Sequence, residues 1–531
     1  MPRADAEMVW LLDLDLPGVT FRLSTQPIVL DDDGAPVEYA GGLSDIDFAE
    51  EIDLLTVRPA SQTVALEAHI TPTPVYLAAR GIDLREAEAV LSYVLVAPPR
   101  IGAPLTGTYG ARVFVARGRL AQPAWGDPQR PASWFAASLE ATPWTSRVPL
   151  LSPQAVITEG DFPTVREDAA GYPFPLVIGQ PGASLIGLFS TPAYPVKTLG
   201  GPVSQLLVAG DSVTSPGDDV TISDGSASEA FPVESGVTDS GLPYYYVSII
   251  GAATISDTAD VFAVAWSEAS GAGGASRPGR PSTAGEAIRY LLARAGLPFD
   301  TGRSAPAIDN LRGYRFDLYL NDPEVTAWEY LSTQVLPYLP VTLRAGPEGL
   351  ILGYLDPNAT AAQAAADGSP EAGWVRLDAV VYDDGPAPVR LTIQGGQNML
   401  TGGSARTVIL DSQADTVGST AGTIGRRAGF TSRTREVPAE TQAPEDQTLT
   451  LPWAQEERTL YALGLSWLAL RAGRPYTVTY SAPLSVSHLS PGDAVAVTDP
   501  ALGWTDRVLW VRSKRWQGGR WLLGLWSVER T

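Results

Sequence analysis

The sequence predicts a mainly β, multidomain chain with a few helices, an α+β arrangement. Three observations lead there. The chain carries 52 Gly and 45 Pro, which cut it into short extended runs separated by turns. Apolar and polar residues alternate in runs such as "GVTFRLST" (18–25) and "VALEAHI" (64–70), the period of a half-buried strand. At 531 residues the chain exceeds what one core holds, so its length predicts about three to four domains.

The elements follow in order. Residues 9–70 read as strands and turns, with "DDDGAP" (31–36) as a hairpin turn. "IDLREAEAVLSYVLV" (82–96) predicts a helix, because Asp83 can cap it and Glu86 stands at capping-box spacing. "YGARVFVARGRLAQPAWGD" (109–127) reads as a strand ending in a bend. In "GYPFPLVIGQPG" (171–182), Pro173 and Pro175 confine the segment to a sheet edge or an extended linker. "QLLVAG", "DDVTISDG", "YYYVSIIG" and "VFAVAW" between 200 and 266 read as strands, and "SGAGGASRPGRP" (270–281) as a linker.

Helix signals then appear. In 282–296, Thr283 and Glu286 make a capping box, Ala284, Ile288, Leu291 and Leu292 line one face, and Gly296 closes the helix. In 322–336, Asp322 is the expected cap and Pro323 the first helical residue. Val325, Trp328, Leu331 and Val335 form its stripe. A hairpin is expected over 340–355. The Ala-rich stretch 359–373 and the Gly/Ser/Thr-rich stretch 395–447 read as loops. Residues 452–473 predict a third helix, with Glu456 and Glu457 early, Arg471 late and Gly473 past its end. Strands at 476–481, 493–499, 507–513 and 521–528 end the chain, the last two joined through "QGG". The expected domains are a β-rich 1–125, a β-rich 126–270, an α+β 271–358, a loop-rich connection 359–451, and a helix with terminal strands over 452–531.

Charge and composition narrow the function. There are 37 basic and 59 acidic residues, a net charge of −22, which argues against a sequence-specific DNA reader. With no cysteine, disulfides and thiolate metal sites are excluded. Asp13 and Asp15 interrupt the first apolar run, so no signal peptide is read there. No run of about 18 apolar residues predicts a membrane span. The chain is therefore expected to be made in the cytoplasm and not to insert stably in a membrane.

Residues able to carry chemistry are few. No G-x-S-x-G elbow, Walker A loop or G-x-G-x-x-G is present. His69 lies in an alternating strand and His488 just before a turn, and both read as structural. Without a usable histidine a Ser-His-Asp triad is not expected. Asp45, Asp47, Glu50, Glu51 and Asp53 cluster within nine residues. They offer oxygen ligands for Ca²⁺ but lack EF-hand spacing, so a solvated charge run is the better reading. Trp504, Trp510, Trp516, Trp521 and Trp526 read first as core or subunit interface, with a sugar platform as the alternative. No catalytic, cofactor-binding or metal-binding residue is assigned, and no cofactor is expected.

The segment 282–355 runs capped helix, polar loop, "YRFDLYL", a Pro-started helix with Trp, then a hairpin ending in "GLILGYL". A helix and a terminal "L-x-PGD-x-V-x-V-TD" strand set follow. Upstream stand "YPFPLVIGQPG", "QLLVAGDSV" and "DDVTISDG". Together, over about 170–531, this order resembles the baseplate hub proteins of tailed phages, the group related to the tail-tip protein of phage lambda. The resemblance implies a siphovirus-like virion structural protein of the tail with two hub-type β-barrels, one of them N-terminal, and middle α/β inserts. It implies a homotrimer that joins tail tube to tail tip and forms part of the DNA ejection channel. Implied partners are the distal tail protein, the tape measure protein and tail fibre or tip proteins. Genomic DNA is met only in transit. The protein would be assembled in the host cytoplasm, reside in the virion tail and catalyse nothing.

Two alternatives stay open: a host-glycan-binding distal tail or adhesin-like protein, and a carboxylate-dependent cell-wall hydrolase. Within the hub reading, the acidic excess is expected to face the lumen, supplied mostly by 1–125 and 476–531. One further pattern asks for an explanation. "SPGDDVTISD" (215–224) is echoed by "SPGDAVAVTD" (490–499), which reads either as a common turn recipe or as a duplicated β unit.

Overall fold

A computed structural model of the chain describes residues 6–53, 58–97, 105–125, 133–141, 149–152, 154–179, 194–200, 204–210, 219–224, 227–249, 261–267, 281–356, 362, 364–367, 373–382, 388–397, 404–411, 419–420, 423–427, 445–471 and 474–529. It is mainly β with a few helices.

The N-terminal strands are β1 (Glu7–Leu16), β2 (Val19–Ser24), β3 (Ile28–Asp32), β4 (Ala35–Gly41), β5 (Leu43–Asp53) and β6 (Arg58–His69). A short helix α1 (Pro74–Ala79) precedes β7 (Glu88–Val96), β8 (Leu105–Thr108), β9 (Val113–Trp125) and β10 (Trp134–Ala141). Their ladders form a circuit. β1 pairs with β2 and β7, β7 with β9, β9 with β10, β10 with β6, and β6 with β5. β4 runs into β5 through Gly42, and lies parallel to β2 at Leu23↔Ala40 and Ser24↔Gly41, which closes a barrel. Gly42 has φ +146, and a Cβ there would sit 3.0 Å from the His69 carbonyl, so the corner needs glycine.

The expected helix at 82–96 is not formed. Asp83 does accept a hydrogen bond from the Arg85 amide at 2.9 Å, but only one tight turn follows, at Leu84–Glu86. Residues 88–96 are strand because Val90, Tyr93, Val94 and Val96 prefer extended backbone and ladders on both sides take up their amides.

The middle region holds β11 (Leu176–Ile178), β12 (Tyr194–Gly200), β13 (Ser204–Ala209), β14 (Asp219–Ser223), β15 (Ser228–Pro232), β16 (Glu234–Val237), β17 (Pro243–Ile249) and β18 (Val261–Ser267). The last seven form one sheet with its own core, including Val196, Leu206, Val208, Val220, Ile222 and Val247. The linker 270–281 lies outside the described residues apart from Pro281.

Helices follow where local signals were strong. α2 (Ala284–Arg294) starts after Thr283, and Glu286 accepts from the Ser282 and Thr283 amides at 3.0 and 3.3 Å. α3 (Thr301–Asn310), absent from the sequence reading, is capped by Asp300, which accepts from the Arg303 amide. β19 (Leu318–Leu320) pairs with β11. The helix expected at 322–336 starts later. Asp322 only closes a turn onto the Glu324 amide, and Thr326 is the cap of α4 (Ala327–Tyr330). A wide π turn (Leu331–Val335) extends α4, and a tight turn (Leu336–Tyr338) ends it. Leu331 and Val335 are buried as expected, but Trp328 is only half-buried. The expected hairpin is β20 (Val341–Ala345) with β21 (Leu350–Tyr354).

Two stretches read as loops contain strands. From 359–373, β22 (Ala364–Asp367) pairs parallel with a C-terminal strand. β23 (Val375–Arg376) and β24 (Val381–Tyr382) come next. From 395–447 come parts of a five-stranded sheet: β25 (Pro388–Gln397), β26 (Ser404–Asp411), β27 (Ser419–Thr420), β28 (Thr423–Arg427) and β29 (Glu445–Leu451). Parallel partners far along the chain build this sheet, which local composition does not encode. The third helix is α5 (Glu457–Arg471); residues 452–456 precede it as turn, and Gly473 lies outside the described residues. α2, α3, α4, the hairpin, α5 and this sheet share one core. In it Trp453 stacks on Phe316 with centroids 5.0 Å apart.

The chain ends in β30 (Arg474–Ala482), β31 (Ala494–Asp499), β32 (Trp504–Gln517) and β33 (Arg520–Glu529). β33 lies between β30 and β32, and β31 pairs with β32 and β22. The fourteen-residue β32 outruns β31, and its far end pairs with β5 (Glu51↔Ser513 to Phe48↔Trp516). Both ends of the chain thus enter one hydrogen-bonded sheet. Among the described residues no helix is long and apolar enough to cross a membrane.

Candidate functional site: the seam between the two strand sets

The ladder joining β5 to β32 is matched in charge. Alternation along β5 sends Asp47 and Glu51 outward and Phe48, Glu50 and Ile52 inward. Outside, Glu51 pairs with Arg512 at 3.2 Å and Asp47 with Arg515 at 3.5 Å. Inside, Glu50 stands opposite Lys514 in the register, both buried. The acidic run that reads as a solvated surface is therefore the complement of a basic strand. Among the described residues no group of three or more His, Cys, Asp or Glu could hold a metal ion. Asp45 sits at φ +48 where the β5–β6 register shifts, away from this alternation.

Burial governs the inner pair. It pushes the Lys514 ammonium down to about 8, against the pull of Glu50 and Asp493. It pushes the Glu50 carboxyl up, offset by Lys514 and by the Gln62 side chain, whose Nε2 donates to Glu50 Oε1 at 3.1 Å. Lys514 donates to the Ser487 carbonyl at 2.5 Å and lies 4.3 Å from the Trp521 ring centroid, a cation–π contact.

The "SPGD" turn at 490–493 docks here. The Asp493 carboxylate accepts from the Ser490 amide at 2.8 Å, and Gly492 donates to the Val511 carbonyl at 2.7 Å. Gly492 has φ +94 and abuts Thr342 of β20 so closely that a Cβ would lie 2.8 Å from its methyl. Arg344 of the same strand pairs with Asp493 at 3.8 Å. The turn therefore links the C-terminal sheet to the hairpin.

The tryptophans pack inward. Trp521 is fully buried, with Trp516, Trp10, Tyr93 and Phe48 at centroid distances of 5.1 to 6.0 Å. Trp510 packs on Trp526, and Trp504 on Tyr476. Trp504, Trp510, Trp521 and Trp526 are thus core residues, as the first reading had it, and they build no sugar platform. The aromatic surplus of the C-terminal strands is taken up inside the chain, Trp516 and Trp521 against Trp10, Phe48 and Tyr93 of the N-terminal barrel and the other three among the C-terminal strands themselves, so subunit contacts are not needed to explain it.

The histidines stay apart. His69 meets Trp134 edge-on, and His488 is exposed beside the turn. The other buried acids have structural partners: Asp300 caps α3, Asp317 pairs with Arg315, and Asp499 binds Tyr480 and Arg376. Sequence reasoning passed over Gln62, Arg344, Arg512, Lys514 and Arg515. The available signal was "RSKR" (512–515), a basic run as dense as the acidic one it meets. Its presence also corrects the expected charge distribution. Residues 476–531 carry only Asp493, Asp499, Asp506 and Glu529 against Arg507, Arg512, Lys514, Arg515, Arg520 and Arg530, so this region is not a source of acid.

No family model matches the chain, and no curated protein does. Solved structures similar to it include prophage tail proteins. One is the 43 kDa tail protein of prophage MuSo2 from Shewanella oneidensis, with 9% identity over 98% of each chain and a TM-score of 0.36. A tail protein from Neisseria meningitidis MC58 has 10% identity, covers 98% of this chain and 96% of its own, and scores 0.39. Prophage tail protein gp18 from Listeria monocytogenes EGD-e has 8% identity, covers 95% and 94%, and scores 0.36. At TM-scores below 0.5, function has to be argued from the chain's own residues.

Proposed function

We propose that this chain is a structural protein of a phage tail, a hub that joins tail tube to tail tip and forms part of the DNA ejection channel. The observation that carries the reading is the seam. A closed N-terminal barrel and a C-terminal strand set are locked by one ladder and one aromatic core, so each chain is a rigid two-part wall segment. Three copies would present six such parts around a hexameric tube. The contact between copies is placed at residues 375–382. There Val375, Leu377, Val381 and Tyr382 are exposed, and the segment pairs with β30 on one side only among the described residues.

Distal tail, tape measure and fibre or tip proteins are the proposed neighbours, in a particle assembled in the host cytoplasm. DNA in transit requires a bore that binds phosphate weakly. The acids facing it are assigned to the N-terminal barrel, where 1–125 holds 17 acidic and 9 basic residues. Copy number in a tail reconstruction tests the reading: three copies are expected, and six or twelve would overturn it in favour of a distal tail protein. Clearing of peptidoglycan in a zymogram by the pure protein would overturn the non-catalytic role.

A further inference from the structure

We propose that the seam encloses a binding site for a small tetrahedral oxyanion, of which inorganic phosphate is the representative. A cavity of about 260 Å³ opens where β5, β6, β20, β32, α3 and the start of β9 converge. In a chain of net charge −22 its wall presents Arg112, Arg303, Arg344 and Lys514, and among the described residues lining it Glu50 is the one carboxylate. The acids paired with these arginines, Asp13, Asp300 and Asp493, do not line it.

The donors are unevenly used. Arg112 spends its guanidinium on Asp13 at 2.9 Å and Tyr39 at 2.8 Å. Arg303 and Arg344 have their acids only at 3.6 and 3.8 Å, beyond hydrogen-bond reach, and their side chains make no hydrogen bond among the described residues. Lys514, 6% exposed, gives one proton to the Ser487 carbonyl and lies over the Trp521 ring, which leaves it able to donate to a further acceptor. A buried cation with unused protons is costly, and an anion that accepts them offsets the cost. The choice of phosphate comes from Gln62. Its Oε1 is buried without a partner, while its Nε2 is held by Glu50 and the Val115 carbonyl. That oxygen requires a donor. Hydrogenphosphate carries a P–OH, whereas sulfate at neutral pH carries none. Among the described residues lining the cavity, His488 and Glu50 are the titratable groups besides Lys514 and the three arginines, and binding should weaken as pH rises and Lys514 loses its proton.

This site is independent of the tail assignment. The test is calorimetry and thermal unfolding of the full chain with sodium phosphate, sulfate or chloride at equal ionic strength. Phosphate should bind saturably and raise the melting temperature, with sulfate weaker and chloride inert. Arg344→Gln should weaken phosphate at least about tenfold, the loss of one charge-assisted hydrogen bond. Arg303→Gln, at a half-exposed side chain, supplies the same reading if Arg344→Gln does not fold. Arg85→Gln, whose partner Asp83 lies outside the cavity, should bind as the parent does. Equal responses to the three salts, or unchanged phosphate affinity in folded Arg344→Gln or Arg303→Gln, would overturn the proposal.

Discussion

The echoed stretches 219–224 and 494–499 adopt the same strand and reach different ends. In β14, Val220 and Ile222 point into a core; in β31, Val495 and Val497 do. The closing aspartates even act alike: Asp224 accepts from the Ala227 amide at 2.8 Å and Asp499 from the Ala501 amide at 3.0 Å. The neighbours differ. β14 lies between two antiparallel strands of a self-contained sheet. β31 lies between parallel β22 and antiparallel β32, in the core shared by both ends of the chain. The recipe specifies a turn and an inward alternation, and the partners decide whether the strand is local or architectural. A duplicated β unit is not needed to account for it.

The sharpest way to break that contrast is to hollow each core. Trp521→Ala should cost about 3–5 kcal/mol, the range for a fully buried aromatic. Because Trp521 touches Trp10, Phe48 and Tyr93, hydrogen exchange should rise together in β1, β5 and β7. Ile222→Ala should cost about 2–5 kcal/mol yet raise exchange only across 194–267. If Trp521→Ala left protection of β1 unchanged, the common core would be refuted.

Lys514 gives the next largest effect. Its folded pKa of about 8 lies below the unfolded value, so the unfolded chain binds more protons between the two. Its contribution to stability is therefore present above the unfolded pKa of about 10.4 and is lost as pH falls through 8, on the order of 3 kcal/mol in all. Glu50 has the opposite sign: its raised pKa favours the fold below the ordinary carboxylate range and less as pH rises through its own value. Chemical denaturation from pH 8 to 10 should show stability rising in the parent relative to Lys514→Met. Parallel curves would mean the ammonium is not desolvated.

Gly492 comes third. Alanine there must adopt φ +94 and press on Thr342, for about 1–3 kcal/mol. Adding Thr342→Ala should recover the steric part, measured by urea midpoint. No recovery would mean that the turn does not bear on the hairpin.

What the sequence revealed was what neighbouring residues decide. The Glu286 contact at the start of α2, the alternation in β6 and the "QGG" hairpin each lie within a few residues, and all are present. Spacing without partners misled at 82–96, where Asp83 caps one turn before β1 and β9 claim the chain. α3 was invisible because "TGRSAPAIDN" has weak helix formers. It is held by the Asp300 cap and by Ser304, whose hydroxyl accepts from the Leu352 amide at 3.0 Å. The seam was hidden because its two strands stand at opposite ends of the chain. Each half taken alone is an ordinary charge run.

The smallest effect tests that seam most directly. Glu51 and Arg512 are both about half exposed, as are Asp47 and Arg515, so water and salt screen them. Each pair should contribute about 0.2–1 kcal/mol, far less than the tryptophan core. Their use lies in register: a slip of one residue between β5 and β32 would place Glu50 outside and Glu51 in the core. In a double-mutant cycle, Glu51→Lys and Arg512→Glu should each destabilise, and the combined exchange should restore most of the loss. The coupling should shrink in about 1 M salt, where the screening length falls to about 3 Å. The inner pair gives a contrast, since Glu50 and Lys514 are buried and salt should leave their coupling largely intact. Zero coupling at low salt for both outer pairs would mean that apolar packing alone sets the register, and that the charge match along the seam contributes nothing to it.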